Sequence, residues 1–153
     1  TPSVIALSRQ KVPYINSENS KKNKCDNGAY TVNITSHESN VTLIASGTEV
    51  ELALKVQEKL KENNIHSKVV SMPCMELFDK QSEKYRKDIL EENSLVFTLE
   101  AGSVMSWQKY IKHDGVNLGI DQFGESAPYK EVYNHLGLSE EKITSLIQKK
   151  LRE

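Results

Sequence analysis

Two short motifs in this chain carry side chains with the chemistry for binding or catalysis. The first, Ser46-Gly47-Thr48-Glu49, joins a predicted strand to a predicted helix, a position where phosphates often bind. It lacks the full glycine-rich fingerprint of a nucleotide site. Its glutamate, together with Glu51, would repel a phosphate while stabilising the N-terminus of the helix. The motif therefore favours a capped strand-to-helix turn over a phosphate site.

The second is the segment Glu100-Ala101-Gly102, in which the glutamate directly follows a predicted buried strand. In open α/β sheets the carboxyl ends of the strands face the ligand crevice, so a carboxylate here is well placed for acid chemistry. It is equally well placed to bind the backbone N–H groups of a neighbouring loop, or another subunit. A lone carboxylate is a weak signal of a functional site, and we favour the structural role.

The other reactive side chains predict no catalytic residue and no metal site. Four histidines fall in predicted loops or at helix ends without metal-ligand spacing, and are interpreted as surface residues: His37, His66, His113 and His135. Cys25 and Cys74 make no metal-spaced pair and are interpreted as ordinary thiols. No serine has the strand-elbow context of a catalytic nucleophile.

Length and composition indicate one globular domain. The 153 residues are enough for a real hydrophobic core, and 37% hydrophobic with 27% charged residues is an ordinary balance. The net charge of -1 gives no reason to expect nucleic acid or an anionic membrane as a partner. The chain shows neither an initiator Met nor a secretory signal, so we expect a fragment or a processed product with a cytoplasmic location.

Strands and helices alternate along most of the chain. The apolar patterns predict strands at 30–34, 41–45, 69–72, 95–99 and 118–120, with helices after Thr48, within 76–91, around Trp107, at 129–136 and at 139–152. This alternation predicts a mostly parallel sheet with helices on both faces. The connection at 35–40 is too short for a helical crossover, so the first strand is expected to run antiparallel or to lie elsewhere in the sheet.

Individual residues are predicted to shape the helix ends. Thr48 and Glu51 have the spacing of a capping box, and Ser139 is placed to cap the last helix. Gly124 permits backbone angles that a side chain would resist, and Pro128 suits the first turn of the helix that follows.

The N-terminal part of the chain reads differently from the rest. Residues 1–15 are predicted to form one short extended piece. Residues 16–28 are almost entirely polar and cannot bury enough apolar surface to offset their ordering entropy. We interpret them as a linker or an exposed loop.

Six sequence blocks, in order, resemble the C-terminal portion of transketolases. They are Ala6-Leu7-Ser8-Arg9-Gln10, Ala45 to Val50, Met75-Glu76-Leu77-Phe78-Asp79, Leu99 to Ser103, Trp107-Gln108-Lys109-Tyr110 and Gly119 to Pro128. One departure lies in the family's Phe-Gly-Ala-Ser-Ala-Pro loop, where Glu125 replaces the first Ala. The resemblance covers nearly the whole chain apart from 16–28.

The resemblance implies a three-domain parent enzyme that moves a two-carbon ketol unit between sugar phosphates. In that family the first two domains bind thiamine diphosphate and a divalent metal, magnesium or calcium, at the interface of a homodimer. The third domain is a three-layer α/β/α unit with a five-stranded mixed sheet, mostly parallel, in which one strand is antiparallel. Residues 29–153 look like this third domain, which carries no cofactor contacts. Residues 1–28 look like the end of the preceding domain and a polar linker.

The resemblance also implies one substrate contact and an inactive fragment. Only Arg9 matches a family substrate-site position, where it contacts the sugar phosphate; an Arg fork binds phosphate with two parallel hydrogen bonds. We therefore expect a structural or assembly domain that binds no cofactor by itself. Two alternatives stay open: the equivalent domain of another thiamine enzyme, such as a 2-oxoacid dehydrogenase beta subunit, or a free-standing ligand-binding or interaction module. The Ser8-Arg9-Gln10 block and the loop at 123–128 favour transketolase.

Overall fold

The computed structural model describes residues 2, 4, 10–15, 24–36, 38–91, 93–112 and 114–153. Within these residues the strands are β1 (Tyr30–Ile34), β2 (Val41–Ala45), β3 (Ser67–Ser71), β4 (Leu95–Leu99) and β5 (Val116–Leu118). The α-helices are α1 (Glu49–Glu62), α2 (Met75–Asp79), α3 (Glu83–Leu90), α4 (Tyr129–His135) and α5 (Glu140–Lys150). Short 3-10 helices cover Lys24–Asn27 and Met105–Tyr110. None of the described helices is long and apolar enough to cross a membrane.

The strands form one mixed sheet in the order β1-β3-β2-β4-β5. β1 pairs with β3 in the antiparallel sense, whereas β2, β3, β4 and β5 pair in parallel. The predicted fold class is confirmed, and so is the inference from the short first connection. Since the chain passes from β2 to β3 on one side and then to β4 on the other, the strand order reverses between β2 and β4. The crevice at the carboxyl ends of these two strands is where open α/β sheets usually bind ligands.

Apolar residues on both faces of the strands create the three layers. Along β2, Val41, Leu43 and Ala45 pack into one core cluster, and the intervening Ile44 packs into the other. This alternation follows from the two-residue period of a strand. Helices α1 and α5 contribute to the first cluster, while α2, α3 and the 3-10 helix with Trp107 contribute to the second. All of β2 is buried, as expected for a strand covered on both faces.

Among the described residues 24–28 of the polar segment, interpreted above as a linker or an exposed loop, residues 24–26 are exposed and only Gly28 is buried in the domain. Residues 16–23 lie outside the described residues, but Lys24–Asn27 forms a helical turn and Gly28 is buried. The Cys74 N–H donates to the Gly28 carbonyl at 3.1 Å. Gly28 has φ of +79°, and a Cβ there would lie 2.2 Å from the Phe78 nitrogen, so only glycine fits this approach.

Two predicted side-chain caps do not form. Thr48 has helical backbone angles and makes no capping bond; its hydroxyl instead donates to the Glu49 carboxylate at 2.7 Å. Ser139 precedes α5 but its side chain makes no capping bond either. Gly124 does not have a positive φ, and nothing lies within 4 Å of a Cβ built there, because its loop is exposed. Pro128 does stand immediately before α4.

Candidate functional site

The candidate site lies at the carboxyl ends of β2 and β4, where Ser46 and Glu100 follow neighbouring strands. Ala45 and Leu99, the last residues of these strands, are partners in the parallel ladder. The two side chains that come next therefore lie together, and the Ser46 hydroxyl donates to Glu100 Oε2 at 3.3 Å. This is the position at which the sequence predicts a carboxylate facing a crevice.

Glu100 is held from a second side by Trp107. The Trp107 indole N–H donates to the same Oε2 atom at 3.2 Å, and the indole itself is only 2% exposed. Burial raises the pKa of Glu100 above its ordinary value, and the nearby charge of Glu49 raises it further, while the two hydrogen bonds act in the opposite direction. The Glu100 carboxylate thus connects the carboxyl ends of β2 and β4 to the 3-10 helix that contains Trp107.

Glu49 forms a second link at the start of α1. It is 5% exposed, and its Oε1 accepts hydrogen bonds from Thr48 Oγ1 and from the Tyr133 hydroxyl, each at 2.7 Å. Burial raises the pKa of Tyr133 to about 12, and the hydrogen bond to Glu49 adds to the shift. Tyr133 therefore remains a protonated donor at neutral pH and joins α4 to α1.

The residues described at this edge do not fit a diphosphate with its metal ion. Glu49 and Glu100 would both repel phosphate oxygens, and each already accepts two hydrogen bonds within the chain. Among the residues that the structure describes, no three His, Cys, Asp or Glu side chains are grouped so as to hold a metal ion. The arrangement is suited to holding loops together.

A third polar cluster lies on the other face of the sheet, and the sequence analysis missed it. The Tyr110 hydroxyl donates to Asp79 Oδ1 at 2.9 Å, and Lys109 forms an ion pair with the same carboxylate. Burial raises the pKa of Tyr110 to about 12. The only signal in the sequence is that these residues come from two of the transketolase-like blocks.

The structure brings some of the predicted residues together and leaves others apart. Ser46 and Glu100, which the sequence analysis treated separately, meet at the carboxyl edge, and Thr48 and Glu49 lie beside them. His66 and His135 are exposed; His135 lies 3.3 Å from Glu125, and neither belongs to a metal-ligand group. His37, His113 and the predicted substrate contact Arg9 lie outside the described residues.

Comparison with known proteins gives one consistent result. Residues 28–139 match the family model described as the transketolase-like TK C-terminal domain. The chain is 37% identical over 148 residues to the chloroplastic transketolase of Solanum tuberosum, covering 95% of this chain and 20% of that protein. It is 39% identical over 141 residues to the transketolase of Bacillus subtilis, covering 90% of this chain and 21% of that protein.

Solved structures agree with the sequence matches. The transketolase of Campylobacter jejuni superposes with a TM-score of 0.81 at 35% identity, over 92% of this chain and 21% of that one. The chain therefore spans about a fifth of the length of the relatives that it matches.

Proposed function

Because this chain belongs to the transketolase family, as its C-terminal domain, we propose that it completes an enzyme that transfers a two-carbon ketol unit between sugar phosphates. The observation that carries the proposal is the match of residues 28–139 to the family's C-terminal domain. The five-stranded sheet with its antiparallel β1 supports it. In this proposal the chain contributes structure and assembly, and the chemistry is done by domains that precede it.

The intact enzyme in this proposal uses thiamine diphosphate with magnesium or calcium. The residues described here do not fit that group, so the preceding domains supply its site. The charge at the carboxyl edge supports this division, since Glu49 and Glu100 disfavour a diphosphate there. We further propose that the intact enzyme is a cytoplasmic homodimer, and that this domain packs against the enzyme's own N-terminal domains.

The proposed division of the chain places residues 1–28 at the end of the preceding domain and its linker, and residues 29–153 in the C-terminal domain. The one proposed substrate contact is Arg9, whose guanidinium would bind the phosphate of the sugar. Arg stays charged at all relevant pH values and its planar fork matches a phosphate in a bidentate manner. A charge-assisted hydrogen bond of this type contributes about 1.5–3 kcal/mol.

Kinetics of the intact enzyme test this assignment. We expect Arg9→Ala to lower kcat/KM for a phosphorylated sugar by roughly 10- to 150-fold, the equivalent of that bond energy. Arg9→Lys should recover only part of the loss, because a point charge does not reproduce the fork. The control is a small unphosphorylated donor, which should lose much less. Equal losses on the two donors would refute the phosphate assignment.

A further inference from the structure

A cavity of about 430 Å³ opens on the face of the sheet covered by α2 and α3, away from the Glu100 and Glu49 links. Its apolar wall is made by Phe78, Leu90 and Tyr110. Phe78 and Tyr110 are buried, with ring centroids 5.8 Å apart, so they close this wall as part of the packed core, and Leu90, which is only partly buried, offers its accessible apolar side chain. The volume lies within the range of roughly 300–1,000 Å³ that is usual for small-ligand pockets.

The rim of the cavity carries a formal excess of positive charge. Four cationic side chains line it, together with two carboxylates, Asp79 and Glu83; the cations are Arg86, Lys87, Lys109 and Lys112. These residues come from α2, α3 and the segment at the end of the second 3-10 helix. The formal charge of the lining is therefore +2.

Both carboxylates are already engaged by lysines. Burial alone would raise the pKa of Asp79, but hydrogen bonds from Lys109 and Tyr110 outweigh it and lower that pKa. The hydrogen bond from Lys87, which lies 3.0 Å away, lowers the pKa of Glu83. Both groups are thus ionised at neutral pH; each pairs with its own lysine, and the nearby charge of Arg86 also acts on both.

Arg86 contributes a buried hydrogen-bond donor to the lining. Its Nε atom is buried and has no hydrogen-bond partner among the residues that the structure describes. Buried donors without a partner are rare in folded proteins and call for an explanation. A ligand that accepts a hydrogen bond from this guanidinium would provide one.

We propose that this cavity binds a small organic phosphate, with the phosphate on Arg86 and the carbon skeleton against the apolar wall. The Nε edge of a guanidinium suits the two-pronged binding of a phosphate. A phosphate monoester carries about −1.5 to −2 charges near pH 7, opposite in sign to the formal charge of the lining. The apolar wall selects an ester with a hydrophobic group over the bare ion. This binding site is separate from the proposed ketol transfer.

Calorimetric or NMR titration with phenyl phosphate tests the proposal on the chain itself. We expect saturable binding, weakened about tenfold or more by Arg86→Gln, the equivalent of one charge-assisted hydrogen bond. Arg86→Lys should fall in between, because it keeps the charge and loses the fork. The matched control is Lys84→Gln, which removes an exposed charge from the same helix outside this cavity and should change the affinity less than twofold, about the size of a screened surface effect.

Several outcomes would overturn the proposal. One is the lack of saturable binding up to about 10 mM phenyl phosphate, a concentration beyond any useful affinity. Another is an equal loss in Arg86→Gln and Lys84→Gln, which would indicate general electrostatics. Equally tight binding of inorganic phosphate would remove the role of the apolar wall. Circular dichroism of each variant establishes that it is folded, and if Arg86→Gln is not, the Arg86→Lys comparison with Lys84→Gln decides.

Discussion

Glu100 occupies a position where an open α/β sheet usually meets its ligand, but its contacts are those of a structural residue. One carboxylate oxygen accepts from both Trp107 and Ser46, which belong to different segments. The link therefore joins the loop after β4 to the loop after β2. A side chain with this role acts on stability, and its titration should be visible in the pH dependence of unfolding.

We predict that the pH dependence of stability changes in Glu100→Gln. The pKa of Glu100 is raised in the folded protein, chiefly by burial and then by Glu49, so the folded state binds the proton more tightly than the unfolded chain. Ionisation of Glu100 therefore costs stability as the pH rises from its ordinary value of 4.5 through the raised pKa. Because Gln cannot ionise, the variant should gain stability relative to the wild type across that window and keep the gain above it.

Urea unfolding of both proteins between pH 4 and pH 8 measures this difference. The matched control is Glu58→Gln, an exposed glutamate on α1, whose stability relative to the wild type should stay nearly constant over the same range. A Glu100→Gln variant that instead loses stability relative to the wild type as the pH rises would show that the ionised carboxylate stabilises the fold.

In the turn after β5, close packing against neighbouring backbone leaves no room for a side chain at Gly119. A Cβ on Gly119 would lie 2.3 Å from Val104 Cγ1 and 2.7 Å from the Gly102 carbonyl oxygen. The same carbonyl accepts a hydrogen bond from Ile120 N–H at 2.8 Å, so it is held in place. Gly124, five residues further along, has open space around it.

We predict that Gly119→Ala lowers the free energy of unfolding by about 1–3 kcal/mol, the usual cost of overpacking a tight site. Gly124→Ala is the control within the same block and should stay within about 0.5 kcal/mol of the wild type, as surface substitutions do. Guanidinium unfolding of the two variants gives both numbers. Similar stabilities for the two would mean that the loop at 102–104 yields to the added methyl group.

At the level of elements, all five strands could be predicted from the sequence, but two of them were misplaced: β3 begins two residues before the predicted 69–72, and β5 lies at Val116–Leu118 and not at the predicted 118–120. The helix caps could not be predicted. β2 and β4 were found at their observed bounds because uninterrupted apolar runs signal a strand buried on both faces. The Thr48–Glu51 spacing failed as a capping box because Thr48 has helical backbone angles, whereas a capping side chain requires an extended backbone to accept from the N–H groups of the first turn. Ser82, which caps α3 by accepting from the Tyr85 N–H at 3.2 Å, was not singled out. Whether a side chain caps a helix depends on the backbone angles of the N-cap residue, and the spacing of residues in the sequence does not show those angles.

Across the whole molecule, contacts between distant segments were the part that the sequence did not reveal. The contact of Ser46 with Glu100, 54 residues apart, is explained by parallel strands that end at one edge, but the sequence analysis did not pair the two residues. The contact of Tyr133 with Glu49, 84 residues apart, required knowing how α4 packs against the start of α1. The Tyr110–Asp79 contact, 31 residues apart, was missed for the same reason. Sheet topology predicts neighbours along an edge, whereas helix docking is set by tertiary packing.

The chain as a whole has the fold of a transketolase C-terminal domain and about a fifth of the length of the relatives it matches. Its carboxyl edge, where a cofactor would be sought first, is occupied by two carboxylates bonded to Ser46, Thr48, Trp107 and Tyr133. We propose that this domain stabilises an enzyme whose cofactor chemistry lies in other domains.

Calorimetric titration of this chain with thiamine diphosphate in the presence of magnesium tests that claim most directly. We predict no saturable heat, because the described residues provide no metal-ligand group and place negative charge at the carboxyl edge. A titration of an intact relative, such as the Bacillus subtilis transketolase, run under the same conditions is the comparison. A saturable curve with a micromolar dissociation constant for this chain would contradict the account.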